Sequence, residues 1–310
     1  MKVAVIGAGP AGMSCANALL SFGLEPVVIE RAAQVGGIQR ANFHPNLWML
    51  GIPGETGCQI TERLARHYFD LPVTTLMNTR LLAVTRAGTA FNLRLAGPEG
   101  ESEQVVAALV LATGSRPRAT PELEALGRHS RRVVIGPLND RIRDEVRNAR
   151  VLVLGGGDNA LDHALFLAER GNHVTVSARS RFSARRQFQG ACDACTGIEL
   201  VSGQAPTALA ADDDGIKAAW PDRKERYDWL LVMYGYRPNN DLLDVFEPAI
   251  RPTLTASGHI HVDRRQQTTV PGIYAAGDIT DSIQPSVPTA IAQGLAAAKA
   301  IEQDQVTQST

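Results

Sequence analysis

The chain has 310 residues, which at roughly 150 residues per domain allows two domains with a core each. Its 31 Lys and Arg against 32 Asp and Glu leave a formal charge of -1, which excludes a strongly basic nucleic-acid surface as the primary activity, because phosphate binding needs a clustered positive face. The chain is 44% apolar and 20% charged, has four scattered cysteines (Cys15, Cys58, Cys192, Cys195), and shows no run of the roughly 18 to 20 apolar residues a membrane span needs. With no basic and apolar leader before the first strand, it is expected to be globular and cytoplasmic, frayed only over residues 303–310.

In chain order, a strand over residues 2–6 is followed by Gly7-Ala8-Gly9-Pro10-Ala11-Gly12, a helical stretch to Leu20 and a second strand over 26–30. The same sequence of elements recurs: strand 151–154, Gly155-Gly156-Gly157-Asp158-Asn159-Ala160, a helical stretch to Arg170 and a strand over 173–177. Each copy ends alike, residues 109–117 paralleling 230–238. The repeat predicts two related nucleotide-binding domains. Residues 116–150, with Pro117, Pro121 and Pro137, lead into the second; after Pro238 come a β-like stretch at 259–262, the segment 270–278 and an Ala-rich helix over about 288–301. Three serial domains would leave the last segment too small to bury a core, so the second domain is expected to interrupt the first: 1–116, 117–237 and 238–310.

Strand, glycines, helix and strand within roughly 30 residues is the context in which a glycine-rich turn holds a pyrophosphate. Gly7 permits the tight turn, Gly9 lets the backbone approach the ligand, and Gly12 lets the helix pack closely, so the anion sits on the helix N-terminus. Glu30, closing the second strand, can accept hydrogen bonds from a ribose. Glu30 lies 23 residues after Gly7, and the same offset from Gly155 falls on Ala178. Ser177, Arg179 and Arg181 surround that position instead of a carboxylate, which suits a 2′-phosphate and predicts NADPH rather than NADH; Arg185 and Arg186 read as solvated charges. Two dinucleotide sites imply a mobile hydride carrier paired with a tightly held flavin.

Together, GAGPAG with Glu30, LATG at 111–114, GGGDNA at 155–160, GYRPN at 235–239 and VPGIYAAGD at 270–278 resemble the low-molecular-weight thioredoxin-reductase-like flavoproteins, the fold shared by thioredoxin reductases and a branch of ferredoxin-NADP reductases. The resemblance covers nearly the whole chain. It implies an α/β homodimer subunit of two three-layer, Rossmann-like domains, the NADPH domain inserted into the FAD domain. FAD would be held by Gly7, Gly9, Pro10, Ala11, Gly12 and Glu30 at its ADP half, with Gly36 and Gly37 over its middle, and by Thr113, Gly114, Gly277 and Asp278, the last bonding the ribityl chain. The helix opening at Val287 and Pro288 would aim its positive end at the flavin N1/O2 region. NADPH would be held by Gly156, Gly157, Asp158, Asn159, Ala160, Arg179 and Arg181.

Thioredoxin reductases of this family carry a redox C-x-x-C shortly before the second glycine motif, and residues 131–140 contain no cysteine. The one C-x-x-C, Cys192-Asp193-Ala194-Cys195, has a spacing that places both sulfurs on one helix face, which makes the pair the candidate catalytic thiols of a disulfide reductase; two thiolates alone are incomplete as a zinc site. Cys15 is expected to be buried in the first helix, and Cys58 to lie near the substrate side. The ferredoxin- or flavodoxin-NADP reductases lack active-site cysteines, and Phe43-His44-Pro45, Gly51-Ile52-Pro53-Gly54 and Pro288-Thr289-Ala290 look closer to that branch, although its usual aromatic cover over the flavin has no counterpart after Tyr274. The expectation is an enzyme that takes hydride from NADPH through FAD and serves a ferredoxin- or flavodoxin-like protein. Two alternatives remain: a thioredoxin-reductase-like enzyme acting through Cys192 and Cys195 or through thiols of its substrate, and a redox sensor or ferredoxin-fed flavoprotein with no productive NADPH use, hinged near Arg116 and Arg237.

Overall fold

The computed structural model describes residues 1–46 and 49–308. The chain forms two compact units, Met1–Ser115 with Pro238–Thr310, and Arg116–Arg237.

In the first unit, five parallel strands run in the order Ile273–Ala275, Ala108–Leu111, Lys2–Ile6, Glu25–Ile29, Thr74–Leu76. Apart from the edge strand Thr74–Leu76, the strands are short, apolar and largely buried, as parallel sheets require. Alternation sorts them between two cores. Val3, Val5, Val28 and Val110 pack toward the helices Pro10–Ser21, Gly57–Phe69 and Val287–Gln308, whereas Ala4, Ile6, Ile29 and Leu111 pack with Val84, Phe91, Leu93 and Leu95 of the antiparallel sheet Arg80–Ala87, Ala90–Gly97, Gly100–Val106. The result is three layers.

The first and last helices touch along small residues. A Cβ on Gly294 would stand 2.2 Å from the Ala11 carbonyl oxygen, and Ser14 donates from Oγ to the Ile291 carbonyl at 2.8 Å. Of the residues 303–310 expected to fray, 303–308 are helical instead, and 309–310 lie outside the described residues. The reason is tertiary: Asp304 accepts from the Tyr274 hydroxyl and pairs with Arg265 at 2.5 Å, and Arg265 also donates to the Ala300 carbonyl at 3.1 Å.

The second unit repeats the plan. Its parallel sheet runs Ile198–Ser202, His173–Ala178, Arg150–Leu154, Trp229–Val232, Val133–Ile135, with a meander of Ala208–Asp212, Gly215–Ala219 and Lys224–Tyr227 supplying Ile216, Ala218 and Tyr227 to a core with Leu152, Leu154, Leu230 and Val232. Its glycine-led helix is Asp158–Ala168. Here the strand beside the Trp229–Val232 strand comes from before the glycine turn, and in the first unit the corresponding strand, Ile273–Ala275, comes from after it.

Candidate active site

Each glycine turn divides its glycines between two duties. Gly7 has φ +104° and an added Cβ would lie 2.5 Å from the Ala112 carbonyl oxygen; Gly155, at φ +147°, would meet the Met233 carbonyl oxygen at 2.4 Å. These two positions turn the chain against the end of the neighbouring strand. Gly12 lies under its own turn, where a Cβ would stand 1.9 Å from the Gly7 carbonyl oxygen. Its counterpart Ala160 is fully buried, so this helix tolerates a methyl group there. Gly9 and Gly157 are different: a Cβ on either meets no atom within 4 Å. Both are helix N-caps with no side-chain cap on the first-turn N–H groups. Open space over uncapped N–H groups fits a pyrophosphate, and both turns pass that test.

Around the first turn, Glu30 is buried, its Oε2 accepting from the Ala8 N–H at 2.7 Å and its Oε1 from the Ala32 N–H at 2.8 Å. The amides orient the carboxylate and leave each oxygen a second lone pair for a ribose. Gly36, at φ +110°, donates to the Ala8 carbonyl at 2.7 Å, and Gly37 stands over Gly9. Thr113 and Gly114 are tied to Asn239, which donates from Nδ2 to the Thr113 carbonyl at 2.8 Å and from its N–H to the Gly114 carbonyl at 2.9 Å, leaving Asn239 Oδ1 buried and unpaired. Gly277 donates to Gln293 Oε1 at 2.8 Å, so the last helix grips the loop carrying Asp278. Asp278 Oδ2 accepts from Ser115 Oγ at 3.3 Å. Val287, buried, opens the helix, whose first turn is capped by Ser286 accepting from the Thr289 N–H at 3.3 Å.

Burial pushes the Asp278 carboxyl above its ordinary value, against the Ser115 hydrogen bond and the positive charge of His259. The fold therefore favours its protonated form, and the stability it contributes, present below the ordinary carboxylate value, is lost as pH rises through the raised one. Asp278→Asn is expected to raise the Tm of the apoprotein more at pH 8 than at pH 4, and to weaken FAD binding about tenfold through the lost charge-assisted hydrogen bond. Thermal melts at both pH values and a flavin-binding titration check it.

In the second unit, Leu154 pairs with Ser177 as Ile6 pairs with Ile29, so Ala178 occupies the place of Glu30. Arg179 and Arg181 are exposed beyond it, the Arg179 guanidinium 5.8 Å from the Tyr234 ring centre. Ser177, expected beside a 2′-phosphate, is buried and donates from Oγ to the Gln204 carbonyl at 2.8 Å; the adjoining strand end takes its hydroxyl. Asp158 Oδ2 is 2.7 Å from Arg185 Nε, and its Oδ1 accepts from the Arg185 N–H at 2.8 Å, so Arg185 is pinned and Asp158 is spent on it.

The cysteine pair does not present two thiols on one open face. Cys192 lies on the buried side of the helix Arg186–Asp193, its Sγ 3.6 Å from the Leu161 carbonyl, while Cys195 lies past the helix end and is half-buried. Burial first, with neighbouring Cys195 and acidic groups, pushes the Cys192 thiol up to about 11, so it stays protonated and unreactive at neutral pH. Cys15, as expected, is buried, its thiol pushed up to about 12 by burial. Cys58 is half-buried near the start of the helix Gly57–Phe69.

Sequence reasoning missed Ser115, Gln293, Asn239 as a clamp, and His259. The partners of Ser115 and Asn239 lie 163 and 126 residues away along the chain, so no spacing announces them.

Residues 1–294 match the family model described as pyridine nucleotide-disulphide oxidoreductase. A ferredoxin-NADP reductase of Limosilactobacillus fermentum is 30% identical over 289 residues, covering 89% of this chain and 84% of that protein, and one of Ignicoccus hospitalis is 28% identical over 285 residues, covering 89% of each. Among solved structures, thioredoxin reductase of Lactococcus lactis shares the fold with a TM-score of 0.82 at 22% identity, covering 99% of both chains. The chain thus belongs to the pyridine nucleotide-disulphide oxidoreductase family and is a flavin-dependent oxidoreductase using FAD and NADP(H).

Proposed function

We propose that this enzyme oxidises NADPH and passes the electrons to a ferredoxin- or flavodoxin-like protein. A bound FAD supplies the conversion between hydride and single electrons. The protein binds and orients. Gly7, Gly9, Pro10, Ala11, Gly12 and Glu30 hold the ADP half of FAD, Gly36 and Gly37 cover its middle, and Thr113, Gly114, Gly277, Asp278, Val287 and Pro288 hold the flavin half. Gly156, Gly157, Asp158, Asn159 and Ala160 form the NADPH turn, with Arg179 and Arg181 taking the 2′-phosphate. The reading includes a homodimer, as the resemblance implies, and the cytoplasmic location expected from the sequence.

What carries the choice of acceptor is the thiol chemistry. No cysteine lies in 131–140, and Cys192 is sealed under a helix with its proton held toward the Leu161 carbonyl. The relatives named ferredoxin-NADP reductase support the same reading. Anaerobic titration of the FAD-loaded protein with NADPH is expected to stop at two electrons per flavin, because no second redox centre fills, and Cys192→Ser with Cys195→Ser is expected to leave acceptor turnover within about twofold. Uptake of four electrons, or loss of turnover in that double variant, would return the cysteine pair to the catalytic role.

A further inference from the structure

Two arginines at the second glycine turn are held in different ways. Arg185 lies over the Phe188 ring but commits its Nε–H to Asp158 at 2.7 Å. Arg179 is held by a ring alone: its guanidinium lies over Tyr234, 5.8 Å from the ring centre, within the range in which a cation is drawn to an aromatic face. A ring contact engages the π face of a guanidinium and leaves its N–H donors for an anion, whereas an ion pair consumes them.

The backbone fixes where that ring stands. In the sheet, Leu154 lies between Ser177 and Val232, so Arg179 and Tyr234 each stand two residues past the row, on the strands that flank the one running into Gly155. Those two strands are about 10 Å apart, two inter-strand spacings, and the pair spans the strand end from which the glycine turn leaves. Tyr234 is tied on both sides: the Met233 N–H donates to the Leu154 carbonyl at 2.7 Å, and the Gly235 carbonyl accepts from the Arg118 N–H at 2.8 Å. Its ring is half-buried and packs on the core that includes Leu123, Val133 and Val232. Across the turn, Ser183 and Ala184 donate to the Gly156 carbonyl at 2.8 and 3.0 Å, which folds the segment carrying Arg179 back onto the glycines. The internal repeat gives the same placement. Gly155 abuts the Met233 carbonyl as Gly7 abuts that of Ala112, so Tyr234 stands in the second unit where Thr113 stands in the first.

We propose that Tyr234 positions Arg179 for the 2′-phosphate and thereby sets the preference for NADPH over NADH. The ring confines the guanidinium to the turn, so that less side-chain freedom is lost when the phosphate binds. NADH presents no phosphate to Arg179 and gains nothing from the arrangement. Tyr234 acts through Arg179 and is a positioning residue; the inference rests on the reading that Arg179 takes the 2′-phosphate.

Binding of NADP⁺ and NAD⁺ to the FAD-loaded, oxidised protein tests it without any electron acceptor. Tyr234→Leu is expected to weaken NADP⁺ about threefold to tenfold and NAD⁺ less than about twofold, the second value showing that the turn is folded. Tyr234→Phe, which keeps the ring, should bind both nucleotides as the unaltered protein does. In an Arg179→Gln background Tyr234→Leu should add nothing further, because the two side chains act as one. In ¹⁵N-labelled protein the Arg179 Nε–H resonance is expected to carry a ring-current shift that Tyr234→Phe preserves and Tyr234→Leu abolishes. NADP⁺ binding unweakened by Tyr234→Leu, or weakened equally with NAD⁺, additive losses in the double variant, or an Arg179 resonance unmoved by Tyr234→Leu overturns the role of Tyr234 and leaves Arg179 its phosphate. NADP⁺ binding unchanged by Arg179→Gln alone overturns the reading of Arg179, and the proposal with it.

Discussion

Gly12→Ala is expected to cost about 3 kcal/mol of stability or more, while Gly9→Ala is expected to cost less than about 1 kcal/mol and to weaken FAD binding tenfold to a hundredfold, about 1.4 to 2.8 kcal/mol. The two glycines are three residues apart in one motif. Their surroundings are opposite. A methyl group on Gly12 would overlap the Gly7 carbonyl oxygen at 1.9 Å, and neither partner yields easily: Gly7 is held by its N–H donation to the Ile29 carbonyl at 2.8 Å, and the helix backbone at Ala11 and Cys15 lies tight against Gly294. A methyl group on Gly9 enters open space at a backbone conformation any residue adopts, φ -74° and ψ -177°, but it occupies the approach to the first-turn N–H groups. Chemical denaturation and flavin-binding titrations of both variants separate the effects. Equal loss of stability in the two would remove the argument that Gly9 is reserved for a ligand.

Charge reversal at Arg179 and Arg181 is expected to raise the KM for NADPH about a hundredfold while changing that for NADH less than about threefold. A charge-assisted hydrogen bond to phosphate contributes about 1.5 to 3 kcal/mol, and only NADPH carries the 2′-phosphate. Both arginines are exposed, and Ala178 stands where the first unit has Glu30, so the second strand end offers no carboxylate to a free ribose. Arg185→Gln is the contrasting variant. Its guanidinium is bound to Asp158 at 2.7 Å, so its loss should alter the two nucleotides alike. Steady-state kinetics with both nucleotides decide it, and a parallel rise in both KM values for the Arg179 and Arg181 variant would place the phosphate elsewhere.

The glycine motifs were readable because a strand passing into a helix through a ligand-binding turn is a local event. Gly7, Gly9 and Gly12 act within six residues, and the offset from Gly155 to Ala178 is set by one strand, one helix and one return strand. The repeat made the two-domain α/β fold legible for the same reason. The cysteines show where local reasoning stopped. A spacing of three suggests a shared helix face, but the helix Arg186–Asp193 ends between the two sulfurs and turns Cys192 against Leu161. The sequence places Ser177 beside a phosphate, and nothing in it says that Gln204 comes back to take its hydroxyl.

By itself, then, the sequence determined that this protein has two dinucleotide turns, which of them bears a carboxylate and which bears arginines, and that no cysteine pair stands at the family's usual place. Only the tertiary structure decided which groups remain available. Asp304 holds residues 303–308 in a helix through Tyr274 and Arg265, Ser115 and Gln293 position the Asp278 loop from distant segments, and a covering helix removes Cys192 from solvent. The division has a physical cause: backbone conformation and turn chemistry depend on residues a few positions apart, whereas desolvation and side-chain hydrogen bonding depend on whichever atoms the fold brings within about 3 Å.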